Sequence, residues 1–112
     1  MASHDLVLLT GRDPDRVELA RFRVRPERID DLLAAYSRML EEFRGGRAGF
    51  IDAHLVRLPN DEWLDVIRWR SSQDFAASRA KGANLPGMKA FVDAIDSFVS
   101  VEEGSLADAG SG

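Results

Sequence analysis

From Val17 to Arg25 the chain alternates. Ala20, Phe22 and Val24 fall on one side and Leu19, Arg21, Arg23 and Arg25 on the other, the period of two expected of a strand. Pro26 then opens a helix at a position where its missing N–H costs nothing. Ile29, Leu32, Leu33, Tyr36, Met39, Leu40 and Phe43 recur at steps of three and four, an amphipathic stripe, and Gly45-Gly46 is expected to end it. A second strand is expected over about 50–58 and a third over about 63–70, joined by the turn Pro59-Asn60-Asp61-Glu62. Ser71-x-x-Asp74 resembles a capping box ahead of a short helix through Phe75 and Arg79. Gly82 and Pro86 break that helix, and a further helical piece carries Met88, Phe91, Val92 and Ile95 before a last strand from Ser97 to Glu102. The order βαββαβ predicts an α+β, ferredoxin-like protomer with a four-stranded antiparallel sheet.

These elements occupy residues 17–103, flanked by an N-terminal tail over 1–16 and a C-terminal tail over 104–112 that is expected to be disordered. Within the first tail, Leu6 to Thr10 reads as a short strand or as a segment that docks onto a neighbour. A four-residue turn at 59–62 would set Leu58 opposite Trp63, Val56 opposite Asp65, His54 opposite Ile67 and Asp52 opposite Trp69. One hairpin face would then carry Phe50, Asp52, His54, Trp63, Asp65, Ile67 and Trp69, and the other Ala53, Leu55, Arg57, Leu64, Val66 and Arg68. A change of one residue in the loop would exchange the two sets. Both faces are substantially apolar, and two helices cover only one face of such a sheet. The second face is expected to be covered by another copy, two sheets packing face to face as a symmetric homodimer.

Composition narrows the function classes. The chain of 112 residues has a net charge of −4 and no cysteine, which argues against nucleic acid as a partner and removes disulfides and thiolate metal sites. The histidines, His4 and His54, are too few and too far apart for a metal cluster. With no run of about 20 apolar residues, no membrane association is expected, and the default expectation is a cytoplasmic protein. Arginine outnumbers lysine by 13 to 2. Arg21, Arg23, Arg25, Arg57, Arg68 and Arg70 fall on predicted strands, where they bridge carboxylates such as Glu18 and Glu102, line a dimer rim, or grip an anionic ligand.

The mixed hairpin face holds the candidate chemistry: two Trp, one His and two carboxylates among aliphatic groups, the composition of a ligand pocket. A carboxylate among apolar groups is raised in pKa and becomes a base. Asp65 is therefore the candidate catalytic base, with His54 as the alternative. Set against this, Trp63 and Trp69 also suit ordinary core positions, and a lone strand histidine is more often structural than basic. Asp65 also suits an exposed strand position near the hairpin end. Gly82-Ala83-Asn84-Leu85-Pro86-Gly87 is not a phosphate loop and reads as a pocket-mouth loop, with Asn84 as a polar contact.

Three segments carry a family resemblance: Phe22-Arg23-Val24-Arg25-Pro26 leading into a helix that ends near Phe43, then Gly49-Phe50, then Trp63-Leu64-Asp65-Val66-Ile67-Arg68-Trp69-Arg70-Ser71. Together with the Trp-x-Ser strand end followed by a helix bearing Phe75, they resemble the antibiotic biosynthesis monooxygenase domain of the dimeric α/β-barrel superfamily. The resemblance implies a pocket between sheet and helices in each protomer, and an oxygenase of an aromatic or polyketide-like small molecule that needs no cofactor. The family's third-strand Trp falls on Trp69, a catalytic candidate, and its Asn four residues earlier falls on Asp65. Trp63, Tyr36, Asn84, Phe50 and Phe75 are candidates to shape or contact the substrate. The helix histidine of haem-degrading members falls on Ser78, so haem ligation of that kind is not expected. A non-catalytic small-molecule-binding dimer and a non-redox isomerase or cyclase on the same fold are the alternatives.

Overall fold

In the computed structural model residues 15–107 are described; the Leu6–Thr10 segment and the last five residues lie outside them. The elements are β1 (Arg16–Arg23), a 3-10 turn (Pro26–Arg28), α1 (Ile29–Gly46), β2 (Phe50–Arg57), β3 (Glu62–Trp69), α2 (Ser72–Lys81), α3 (Pro86–Ala94) and β4 (Ser97–Ser105). They form a four-stranded antiparallel sheet in the order β2-β3-β1-β4, the ferredoxin-like arrangement the element order predicts. No helix among the described residues is long and apolar enough to cross a membrane.

The helices lie on the face of the sheet that carries its large aromatic and aliphatic side chains. On α1, Leu32, Ala35, Tyr36, Met39 and Phe43 are buried, and they meet Phe22, Trp63, Ile67 and Trp69 of the sheet and Phe91 of α3 in one core. Ser71 caps α2 by accepting the Asp74 backbone N–H at 3.0 Å, as its spacing predicts. Glu42 of α1 accepts the Gly87 and Met88 N–H groups at 2.8 and 3.2 Å, holding the first turn of α3 against α1.

Two elements run past their expected C-terminal ends. The helix α1 continues through Gly45 and Gly46, and Arg47 closes it by donating its N–H to the Phe43 carbonyl. The left-handed backbone needed to leave the helix falls instead on Gly49, at φ 79°. Strand β4 runs to Ser105 rather than stopping at Glu102, because β1 begins at Arg16 and offers Val17 and Arg16 as partners for Gly104 and Ser105.

The hairpin register is the larger correction. Leu58 donates its N–H to the Glu62 carbonyl, and Asn60 and Asp61 both take positive φ, so a three-residue loop of Pro59, Asn60 and Asp61 replaces the expected four. Arg57 therefore faces Trp63, Leu55 faces Asp65, Ala53 faces Ile67, and His54 faces Val66. The shift carries Asp52, His54 and Val56 to the face away from the helices and brings Ala53, Leu55 and Arg57 to the helix side. An irregularity between Phe50 and Asp52 restores Phe50 opposite Trp69.

Candidate active site

Strand β3 alternates half-buried and buried positions along its whole length, with Trp63, Asp65, Ile67 and Trp69 buried under the helices. Asp65 thus stands in the middle of the core face, at 2% exposure. Tyr36 reaches it from α1 and donates its hydroxyl to Asp65 Oδ1 at 2.8 Å. Burial pushes the Asp65 carboxyl up to about 7, against the lowering effect of the Tyr36 hydrogen bond, and the charge of Glu18 adds to the rise. The Tyr36 phenol is itself driven above its ordinary range by burial and then by the neighbouring Asp65.

Glu18 faces the same side from β1. The β1–β3 register sets Glu18 opposite Ile67 and Ala20 opposite Asp65, so the two carboxyls are diagonal neighbours on one face. Trp69, 1% exposed, donates its indole N–H to Glu18 Oε1 at 3.1 Å. Burial raises the Glu18 carboxyl above its ordinary value, opposed by the Trp69 hydrogen bond and by the charge of Arg79.

Between sheet and helices lies a cavity of about 90 Å³. Its polar wall is Glu18, Asp65, Ser78 and Arg79, and its apolar wall includes Phe22, Met39, Phe43, Met88, Phe91 and Phe98. Phe98 is 53% exposed and marks the open side, between β4 and Val92 of α3. Surface grooves of about 250 and 340 Å³ beside α3 are lined by Arg25, Arg28, Asp31, Asp93 and Asp96. Those charges are already joined to one another, Arg28 to Asp31 and Asp93 and Arg25 to Asp96, so neither groove competes as a reaction site.

Of the residues singled out from the sequence, the structure brings together Asp65 and Tyr36 directly, and Trp69 through Glu18. Phe50 and Phe75 flank the Trp69 ring, at 5.8 and 6.4 Å between centroids, and support it from behind the cavity wall. Trp63 is buried near the hairpin end, away from the cavity, with the Arg57 guanidinium 5.3 Å from its ring centre and no partner for its indole N–H among the described residues. Asn84 is exposed in the loop between α2 and α3. His54, exposed on the far face of the sheet, is separated from Asp65 by the sheet itself. The strand arginines pair elsewhere than on Glu18: Arg21 and Arg23 with Glu62, Arg68 with Asp52, and Arg16 with Glu103. Glu18 is left to the cavity. Its signal was its phase, since it shares the β1 parity of Ala20 and Phe22, and a carboxylate on the apolar side of a strand calls for a reason.

An antiparallel ferredoxin-like sheet, helices on one face and between them a small aromatic cavity with one buried and one half-buried carboxyl define an α+β domain of the ferredoxin-like class. The chain belongs to the antibiotic biosynthesis monooxygenase family, whose model matches residues 16–94. Solved structures share the fold. An assigned antibiotic biosynthesis monooxygenase from Bordetella bronchiseptica has a TM-score of 0.72 at 16% identity, over 85% of this chain and 99% of that one. SnoaB, a cofactor-independent oxygenase from Streptomyces nogalater, has 0.60 at 17%, over 88% and 97%. A haem-degrading protein from Mycobacterium tuberculosis has 0.65 at 17%, over 90% and 100%. No curated protein sequence matches significantly. The residues here do not fit a haem held by a helix histidine: Ser78 stands at the cavity wall, and His54, the sole histidine among the described residues, is on the other face.

Proposed function

We propose that the protein is an oxygenase of a hydroxylated aromatic small molecule, taking a proton from it so that the resulting anion reacts directly with dioxygen. The observation that supports this best is Asp65, a nearly inaccessible carboxyl on the wall of an aromatic cavity, titrating at about 7. A base is most effective when its conjugate acid titrates near the working pH. Tyr36 fixes one Asp65 oxygen, and the other has no hydrogen-bond partner among the described residues, which leaves it for a ligand. The ligand proton goes to that oxygen, its electron pair stays on the ring system, and the electron-rich anion is the species that meets dioxygen.

The size of the cavity bears on the substrate. A cavity of ~150 Å³ holds benzene, so about 90 Å³ accepts at most a small single ring as the side chains stand. A larger polyketide-like ring system requires the wall to move, and the flexible thioethers of Met39 and Met88 and the half-exposed Phe98 are the parts able to do so. The same small cavity gives weight to a second reading, a carrier or sensor that binds a ring without transforming it.

The homodimer belongs to this proposal. Leu19, Leu64 and Val66 are only half-buried on the sheet face that the helices leave open, and Val56 beside them is 40% exposed. Light scattering at micromolar concentration should give twice the chain mass, and a monomer there would overturn it.

Oxygen uptake is the deciding assay, run on purified protein against hydroquinones, naphthols and anthrones. Uptake should rise with pH through about 7, and Asp65→Asn should lower it ~10²-fold or more. A variant as active as the wild type, with the same pH dependence, would remove Asp65 as the base. Tight ring binding with no uptake would establish the carrier reading instead.

A further inference from the structure

We propose that Glu18 is a second proton-transfer residue of the cavity, sharing a proton with Asp65 so that the site takes a proton at one atom and returns one at another. The proposal rests on the oxygenase reading above and adds to it a residue and a step. Its basis is placement. Glu18 and Asp65 line one cavity from adjacent strands, and each is clamped through a single oxygen, by Trp69 and by Tyr36 respectively. Neither has another hydrogen-bond partner among the described residues, and neither is joined to a cation by an ion pair. The charge of Glu18 opposes ionisation of Asp65, and like charges on diagonal neighbours of one face resist ionising together, which favours one proton shared between the two.

The two acids have different surroundings. From α1 Asp65 meets the Tyr36 hydroxyl; from α2 Ser78 and Arg79 line the cavity, the Arg79 guanidinium lying over the Phe75 ring; from α3 and β4 it receives only the apolar Met88, Phe91, Val92 and Phe98. Arg79 acts on Glu18 and favours its charged form, while burial opposes it. In the oxygenation the C–H proton moves to Asp65, and the electron pair left on carbon forms the C–O bond to dioxygen. The negative terminal oxygen then takes a proton from the Glu18 carboxyl. Carbon is oxidised, dioxygen is reduced to the hydroperoxide, and R–H plus dioxygen gives R–OOH with one proton moved across the pair. Transfer from Asp65 back to Glu18 resets the site.

The sharing is measured without any substrate, by carbon-13 titration of aspartate- and glutamate-labelled protein. In Glu18→Gln the Asp65 midpoint should fall by ~1 unit, and in Asp65→Asn the Glu18 midpoint should fall by the same amount, as coupling requires. The two measurements are reciprocal, so either variant suffices if the other does not fold. Midpoints unmoved within ~0.2 unit would overturn the proposal. In oxygen uptake, Glu18→Gln should lose ~10²-fold in kcat with little change in KM, and should lose the alkaline fall of the pH profile that deprotonation of the acid produces. An intact alkaline limb would overturn the catalytic role, since a merely structural Glu18 would leave it in place. If the wild type takes up no oxygen, the oxygenase reading fails separately. Coupled midpoints would then retain the pair as the acid–base feature of a ligand site, and uncoupled ones would remove it.

Discussion

Replacing Asp65 by Asn should stabilise the protein at pH 8.5 by far more than at pH 4.5. In the folded chain the Asp65 carboxyl titrates at about 7 and its reference value is 3.8. Between those two values the unfolded chain has released the proton and the folded chain still holds it. The folded state therefore binds more protons through this window, and stability falls as pH rises across it, remaining low above it. A separation of about three pH units corresponds to ~4 kcal/mol at pH 8.5, of which only ~1 kcal/mol is already present at pH 4.5. Asparagine carries no charge to bury, and its side-chain carbonyl can still accept the Tyr36 hydroxyl. Urea unfolding followed by the fluorescence of Trp63 and Trp69, both nearly inaccessible in the fold, measures it directly. The advantage of the variant should widen by ~3 kcal/mol between pH 4.5 and 8.5. A difference that does not change with pH, or a variant less stable at pH 8.5, would refute the argument that burial holds this carboxyl neutral.

Two further substitutions probe the frame around the site. Gly49→Ala should destabilise by roughly 2–4 kcal/mol in the same unfolding assay, because Gly49 sits at φ 79° and an added Cβ would run into the Asp74 side chain; a loss under ~0.5 kcal/mol would mean the turn rearranges freely. Asp52→Asn removes a carboxylate that Arg68 holds below its usual range through hydrogen bonds. Its contribution is present above the ordinary carboxylate value and lost as pH falls below it. Both side chains are about a third exposed, so the variant should lose no more than ~1 kcal/mol at pH 7, read from the shift in urea midpoint.

Much of the fold was legible because its signals are local. The period-two run around Phe22, the three- and four-residue spacing from Leu32 to Phe43, and the Ser71 cap each depend on neighbours in the chain, and each element formed where those patterns lie. The hairpin register was not legible, because it hinges on whether Glu62 belongs to the turn or to the strand. That choice is made by the left-handed backbone at Asn60 and Asp61 and leaves no mark on the hydrophobic pattern. One residue of difference moved His54 from the proposed site to the opposite face. Asp65 stayed because it lies on β3, whose facing is set independently by Trp63, Ile67 and Trp69.

The Glu18 role was visible only in part for a related reason. Its phase on β1 is readable from Ala20 and Phe22, but its partner is not, since the Trp69 indole lies 51 positions away in sequence and only the β1–β3 pairing brings the two within reach. An arginine-rich chain also invites the assumption that every carboxylate on a strand has a guanidinium beside it. Here the strand arginines point toward Glu62, Asp52 and Glu103, and the helix-covered face of the sheet keeps Glu18 and Asp65 at the cavity. A core that only had to be stable would hold apolar residues of similar volume at positions 18 and 65, because an acid drawn out of water is a liability at neutral pH. Retaining both, each clamped by one aromatic donor and turned toward the same small cavity, is the local departure from good packing that a working site requires.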